Sequence, residues 1–119
     1  MKQYSYIFLK PGLIPEQVAI QSAHVAMVLA DALTRNKVEY DSTELNYVMT
    51  PLSITIDELR GYLYDLSIDF VSFKDYEYTF FDGKLTQSNE MVYTAVMTFP
   101  IDEDRRRWLR MLPLYRVKK

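Results

Sequence analysis

The apolar residues of this chain show two kinds of spacing. Some stretches are continuously apolar or alternate apolar with polar residues, as strands do, and others repeat apolar positions every three to four residues, as helices do. A hairpin-like segment at residues 76–86, with a turn at Asp82-Gly83, separates the last two strands. The order β-α-β-α-β-β-α predicts an α/β fold, a single layered domain at residues 1–119 with a four-stranded mixed β-sheet flanked by helices. Strands are predicted at residues 4–9, 44–51, 69–75 and 91–99, and helices at 16–36, 55–66 and 103–111.

Local signals mark where the helices begin. Pro15 is suited to the first position of the first helix, and Thr55 with Glu58 forms a capping-box pattern at the second. Asp102 is the expected cap of the last helix. An alanine stripe on the first helix predicts close packing on the sheet, formed by Ala19, Ala23, Ala26 and Ala30. The last helix is expected to anchor on Trp108, Leu109 and Leu112.

Composition narrows the class of protein. The 119 residues include no cysteine and a single histidine, so we expect no disulfide, no thiolate metal site and no zinc enzyme site. The first residues have no signal-peptide pattern, and no apolar run is long enough to cross a membrane. We therefore expect a cytoplasmic protein that does not bind membranes. The net charge of −2 argues against general binding of nucleic acids.

The basic residues are concentrated at one end of the chain. Half of the fourteen lysines and arginines lie in the last fifteen residues: Arg105, Arg106, Arg107, Arg110, Arg116, Lys118 and Lys119. They form either a solvated helix face with cations near its C-terminus or a patch that contacts phosphates.

A polar group interrupts the first helix near its start. Gln17, Gln21 and His24 are spaced so that they follow one another along one side of the helix. The helix follows a strand and a turn, and ligands of α/β proteins gather at such helix N-termini. The competing interpretation is that His24 is a partly buried histidine with a satisfied side chain.

A second polar pair lies in the segment "KDYEYT". Asp75 ends a predicted strand, where its carboxylate could orient a histidine or a water molecule, and the hydroxyl of Thr79 could position an ester oxygen. Aspartate at a strand end is also a common turn former.

Taken in order, these segments resemble the type-2 peptidyl-tRNA hydrolases. That family has a helix that opens Gly-Lys-x-Ala-x-Gln-x-x-His-Ala, which corresponds here to residues 16–24 and includes Gln21 and His24. The family's later Asp-Ala-Gly-x-Thr corresponds to residues 75–79. The resemblance spans nearly the whole chain, including the final "VYTAVMTF", "PIDED" and "RRRWLRMLPL", although identity is sparse.

The resemblance implies a hydrolase that cleaves the ester between a peptide and the terminal ribose of tRNA, without metal or cofactor. It assigns His24 and Asp75 as the acid–base pair, and Gln21 and Thr79 as substrate-binding residues. Gln17 stands where the family has lysine, and Tyr76-Glu77 replaces Ala-Gly, so the sequence is divergent and weak activity is expected.

Two functions therefore remain open. One is hydrolysis of a tRNA-linked peptide or a related acyl ester. The other is a catalytically inactive binding or interaction protein with the same fold, for which the ten tyrosines would supply a recognition surface. Formation of a homodimer through an exposed strand or an apolar helix is also left open.

Overall fold

A computed structural model describes residues 2–40, 45–51 and 55–109. The chain is an α/β domain, as the sequence pattern predicts. Its elements are β1 (Gln3–Leu9), α1 (Pro15–Arg35), β2 (Leu45–Pro51), α2 (Ile56–Asp65), β3 (Phe70–Phe81), β4 (Lys84–Thr98), β5 (Ile101–Asp102) and a 3₁₀ turn at Arg105–Trp108.

The main strands form one mixed sheet in the order β2-β1-β4-β3, and the two-residue β5 pairs with the start of β1. Strands β1 and β2 are parallel, whereas β4 is antiparallel to both β1 and β3. Consequently β1, β2 and β3 run in the same direction. Both α1 and α2 begin beyond the carboxyl edge of β1 and β2, which is where α/β proteins most often bind ligands.

The two helices cover opposite faces of the sheet. Val25, Leu29 and Leu33 of α1 pack with Ile7 and Met97 on one face. On the other face, α2 packs against a second cluster that includes Leu59, Leu63, Tyr6, Phe8 and Val96. The central strands are therefore buried on both sides, which explains the continuous apolar run in β1 and at the end of β4.

Several local signals have the predicted effect. Pro15 is the first residue of α1, and Thr55 caps α2 by accepting a hydrogen bond from the Glu58 N–H at 3.1 Å. The backbone of Asp82 and Gly83 has φ angles of 52° and 75°, as a two-residue hairpin turn requires. Asp102, the predicted cap of the last helix, does accept a hydrogen bond from the Arg105 N–H at 3.0 Å, but that helix is a 3₁₀ turn whose capping position is Asp104.

Three of the predicted elements differ from the sequence-based prediction. Strands β3 and β4 are longer than predicted and continue to the Asp82-Gly83 turn, so residues 76–91 form a hairpin arm that extends beyond the carboxyl edge of β1. The last predicted helix is, within the described residues, only a 3₁₀ turn. Leu109 is buried as predicted, but Trp108 is 47% exposed and does not anchor this segment, and Leu112 lies outside the described residues.

The predicted alanine stripe is wrong. Ala19, Ala23 and Ala30 are exposed, and Ala26 alone is half-buried. The face of α1 that packs on the sheet is formed by Gln21, Val25, Leu29 and Leu33. The sheet therefore contacts the larger side chains of α1, and a glutamine stands in line with them.

Candidate active site

A β-bulge in β4 turns one side chain of this strand toward α1. Phe73 pairs with Ala95 and Lys74 with Tyr93, which leaves Thr94 as an extra residue on β4. Ala95 packs in the α1-side cluster, and the Thr94 hydroxyl bonds to Gln21 of α1, so the two consecutive residues face the same side. Bulges commonly redirect a side chain in this way.

Four side chains form a hydrogen-bond network, here called the Gln21 network, between α1 and the sheet: Gln17, Gln21, Asp75 and Thr94. The Gln21 Nε2 donates to Asp75 Oδ2 at 2.9 Å and to Gln17 Oε1 at 2.9 Å. The Gln21 Oε1 accepts from the Thr94 hydroxyl at 2.6 Å. Gln21 is fully buried, and these bonds use both of its N–H groups, so its amide orientation is fixed.

The carboxylate of Asp75 is held from two directions. Besides the bond from Gln21, its Oδ1 accepts the Tyr76 N–H at 2.7 Å. Asp75 remains half-buried, and each carboxylate oxygen has a second lone pair. The carboxylate is therefore oriented by the protein and can still accept a hydrogen bond from a water molecule.

His24 lies on the same side of the sheet as Asp75 but is not bonded to it. Its imidazole stacks on the ring of Phe73, with centroids 4.8 Å apart and the planes 4° from parallel. Phe73 precedes Asp75 by two residues, about 7 Å along the strand. Among the described residues, no hydrogen bond joins His24 to Asp75, and Gln21 occupies the position next to the carboxylate.

Of the remaining predicted site residues, Gln17 belongs to the Gln21 network and Thr79 lies far from Asp75. Gln17 is half-buried at the first turn of α1, and its amide oxygen faces Gln21. Thr79 pairs with Thr86 in the hairpin arm, about 13 Å along β3 from Asp75, and its side chain lies outside the described part. Tyr76 is exposed beside Asp75. Thr94 was not identified from the sequence, because a threonine in a continuous apolar strand has no distinguishing pattern.

A cavity of about 790 Å³ lies on the other side of the β3–β4 pair. It is bounded by the N-terminus of α2, the end of β1, and Lys74 and Tyr93 of the sheet. The Lys74 ammonium and the Arg60 guanidinium lie over the ring of Tyr93, at 4.6 Å and 4.2 Å from its centroid. The Gln21 network borders the opposite face, so this cavity does not contain it.

Two of the terminal arginines have structural contacts. The Arg105 guanidinium donates to the carbonyls of Leu66 and Ser67 at the C-terminal end of α2. The Arg106 guanidinium lies 3.6 Å from the ring centroid of Tyr4 and bonds to the Tyr6 hydroxyl at 3.1 Å. These contacts give Arg105 and Arg106 a structural role instead of a place on a solvated helix face. Residues 110–119 lie outside the described part.

Within residues 2–40, 45–51 and 55–109, no cluster of three or more histidine, aspartate or glutamate residues could hold a metal ion. No helix among these residues is long and apolar enough to cross a membrane.

No protein-family model matches the sequence, and a search of curated proteins finds no match.

Proposed function

We propose that this protein hydrolyses the ester that links a peptide, or a related acyl group, to the terminal ribose of tRNA, and that Asp75 is the general base. The observation that carries the proposal is the Asp75 carboxylate, which the buried Gln21 amide holds at the carboxyl edge of the sheet. The resemblance of residues 16–24 and 75–79 to the type-2 peptidyl-tRNA hydrolases supports the choice of substrate.

The reaction needs little beyond the Gln21 network. Asp75 accepts a proton from a water molecule as the water oxygen bonds to the ester carbonyl carbon. The bond from that carbon to the ribose oxygen then breaks, and the proton passes to the leaving ribose oxygen. In this proposal the N–H groups of Gln17, which have no hydrogen-bond partner among the described residues, donate to the carbonyl oxygen and stabilise its negative charge.

This assignment changes the roles that the resemblance implied. His24 is stacked on Phe73 instead of being paired with Asp75, so Asp75 acts without a histidine partner. Gln21 is a positioning residue, because both of its N–H groups are already bonded to protein oxygens.

Single-turnover hydrolysis of a labelled peptidyl-tRNA tests the proposal. Asp75→Asn should lower the rate by about 10²–10⁴-fold, because the amide cannot accept the proton. Asp82→Asn is the matched control: Asp82 is exposed at the hairpin turn, and asparagine also tolerates its positive φ of 52°. If wild type shows only background hydrolysis, or if the two variants are equally active, the proposal is wrong.

One observation favours the second candidate, a binding protein without catalysis. Each oxygen of Asp75 already accepts a hydrogen bond from the protein, as the oxygens of a purely structural carboxylate do. Exposed tyrosines, among them Tyr64 at 80% and Tyr62 at 40% exposure, supply a recognition surface. Specific binding of peptidyl-tRNA or a protein partner with no hydrolysis by wild type would establish this function.

A further inference from the structure

His24 and Phe73 form a two-ring aromatic ledge at the edge of the sheet. The rings are 4° from parallel with centroids 4.8 Å apart, so Phe73 covers one face of the imidazole. His24 is exposed, and no other ring contact or hydrogen bond involves it among the described residues. The other face of the imidazole is therefore open to solvent, and a flat ring could stack on it.

The aromatic ledge lies next to the Gln21 network on both α1 and β3. His24 follows Gln21 by one helical turn, about 5 Å along α1, and Phe73 precedes Asp75 by two residues. A molecule on the open face of His24 would thus lie within one nucleotide's length of the Asp75 carboxylate. The distance between the open face of His24 and the Asp75 carboxylate therefore suits a nucleoside whose base stacks on His24 and whose ribose carries the reacting ester.

We infer that the aromatic ledge stacks the adenine of the 3′-terminal adenosine, whose ribose carries the ester. The inference rests on the proposed function and adds how the tRNA end is recognised. Unpaired bases of RNA are commonly bound by stacking on aromatic side chains, histidine included. Apolar residues flank His24 on the same side of α1, because Ile20 is 44% and Met27 73% exposed one turn before and one turn after it. Such a surface suits a base better than a phosphate.

In this arrangement His24 is a substrate-binding residue and takes no proton. Its ring supplies area for stacking, so a phenyl ring should replace it. A catalytic histidine could not be replaced in this way. His24→Ala and His24→Phe therefore separate stacking from acid–base catalysis.

Binding can be measured without hydrolysis. The probe is the trinucleotide CCA with 2-aminopurine in place of the last adenine, whose fluorescence falls when the base stacks. Wild type and His24→Phe should quench it with similar affinity, and His24→Ala should bind about tenfold more weakly, since stacking of one base contributes of that order. Trp108→Ala, which removes a 47% exposed ring from the 3₁₀ turn on the α2 side of the sheet, should bind as wild type does. In competition with the probe, a trinucleotide without the last base should bind to wild type about tenfold more weakly than unlabelled CCA does.

Kinetics with peptidyl-tRNA give the second readout. We expect His24→Ala to raise KM about tenfold with kcat unchanged, and His24→Phe to leave both near wild type. Thermal unfolding of each variant verifies that it is folded. If His24→Ala binds the probe as well as wild type does, or if both His24 variants lose kcat, the inference is wrong. If the His24 ring is needed for quenching but wild type does not hydrolyse peptidyl-tRNA, the aromatic ledge is supported and the proposed function is wrong. If hydrolysis depends on Asp75 but the probe is not quenched, the proposed function is supported and the aromatic ledge is wrong.

Discussion

Gln21 connects α1 to both strands of the site. Its amide contacts Asp75 of β3 and Thr94 of β4, and it is fully buried among apolar neighbours. A buried amide is favourable only when its hydrogen bonds are made, because water cannot replace a missing partner. The network therefore sets where the Asp75 carboxylate points and contributes to stability at the same time.

Gln21→Leu should lower the free energy of unfolding by about 1–3 kcal/mol, because the buried Thr94 hydroxyl loses its acceptor at 2.6 Å and keeps only the Phe73 carbonyl at 3.5 Å. Urea denaturation measures the change. Gln87→Leu makes the same replacement at an exposed position of β4 and should change stability by less than about 0.5 kcal/mol. Equal losses in the two variants would show that the network does not stabilise the fold.

Gln17→Lys should raise the rate of hydrolysis, because a cation beside the substrate stabilises negative charge on the carbonyl oxygen. Stability should fall by about 1 kcal/mol, because lysine has no acceptor for the Gln21 N–H and a cation opposes the dipole at the start of a helix. Single-turnover kinetics and urea denaturation test both effects. Glu16→Lys adds a cation one residue earlier, at an exposed position, and serves as the control. A slower or unchanged rate for Gln17→Lys would contradict the expectation.

The sequence identified most of the residues that meet at the site, but not how they pair. Gln17, Gln21 and Asp75 were singled out and are joined by hydrogen bonds. Their pairing depends on which residue of α1 points at β3, which spacing alone does not determine. Thr94 was missed because its role depends on a bulge, and the bulge results from the pairing of two distant segments.

At the scale of the elements, the buried face of α1 was the least predictable feature. Residues 19, 23, 26 and 30 and residues 21, 25, 29 and 33 both have helical spacing, so periodicity does not separate them. Because the second set contains the polar residue Gln21, the sequence favours the first set as the buried face. The strand and helix positions were easier to predict, because caps, turns and apolar runs are local signals.

Ala26→Leu should cost roughly 1–3 kcal/mol, because Ala26 is half-buried against the α1-side cluster and extra volume there overpacks it. Ala30→Leu is the matched control on the same helix, at an exposed position, and should change stability by less than about 0.5 kcal/mol. Thermal and urea unfolding measure both. If Ala30→Leu costs as much as Ala26→Leu, the helix packs on a different face.

At the scale of the whole molecule, the sheet divides the domain into two apolar clusters that share β1 and β4. Removal of either helix would expose one face of the same two strands, so the clusters should unfold together. The hairpin arm is different, because neither cluster includes any side chain that the structure describes between residues 76 and 91. Its length could not be read from the sequence, since polar residues such as those at 86–90 are equally typical of a loop.

The hairpin arm should therefore open without unfolding of the domain. The ladder pairs of the arm connect β3 with β4, and Phe80, Leu85 and Met91 along it are at least half exposed. Native-state hydrogen exchange in rising urea separates the two processes: arm amides should exchange through local opening with little dependence on urea, while β1 amides should require global unfolding. Gly83→Ala, which places a side chain at a φ of 75°, should speed exchange in the arm and leave the β1 amides nearly unchanged. If arm and β1 amides show the same protection and the same urea dependence, the arm is part of the cooperative unit, and Asp75 at its base is held by the whole domain instead of by the Gln21 network.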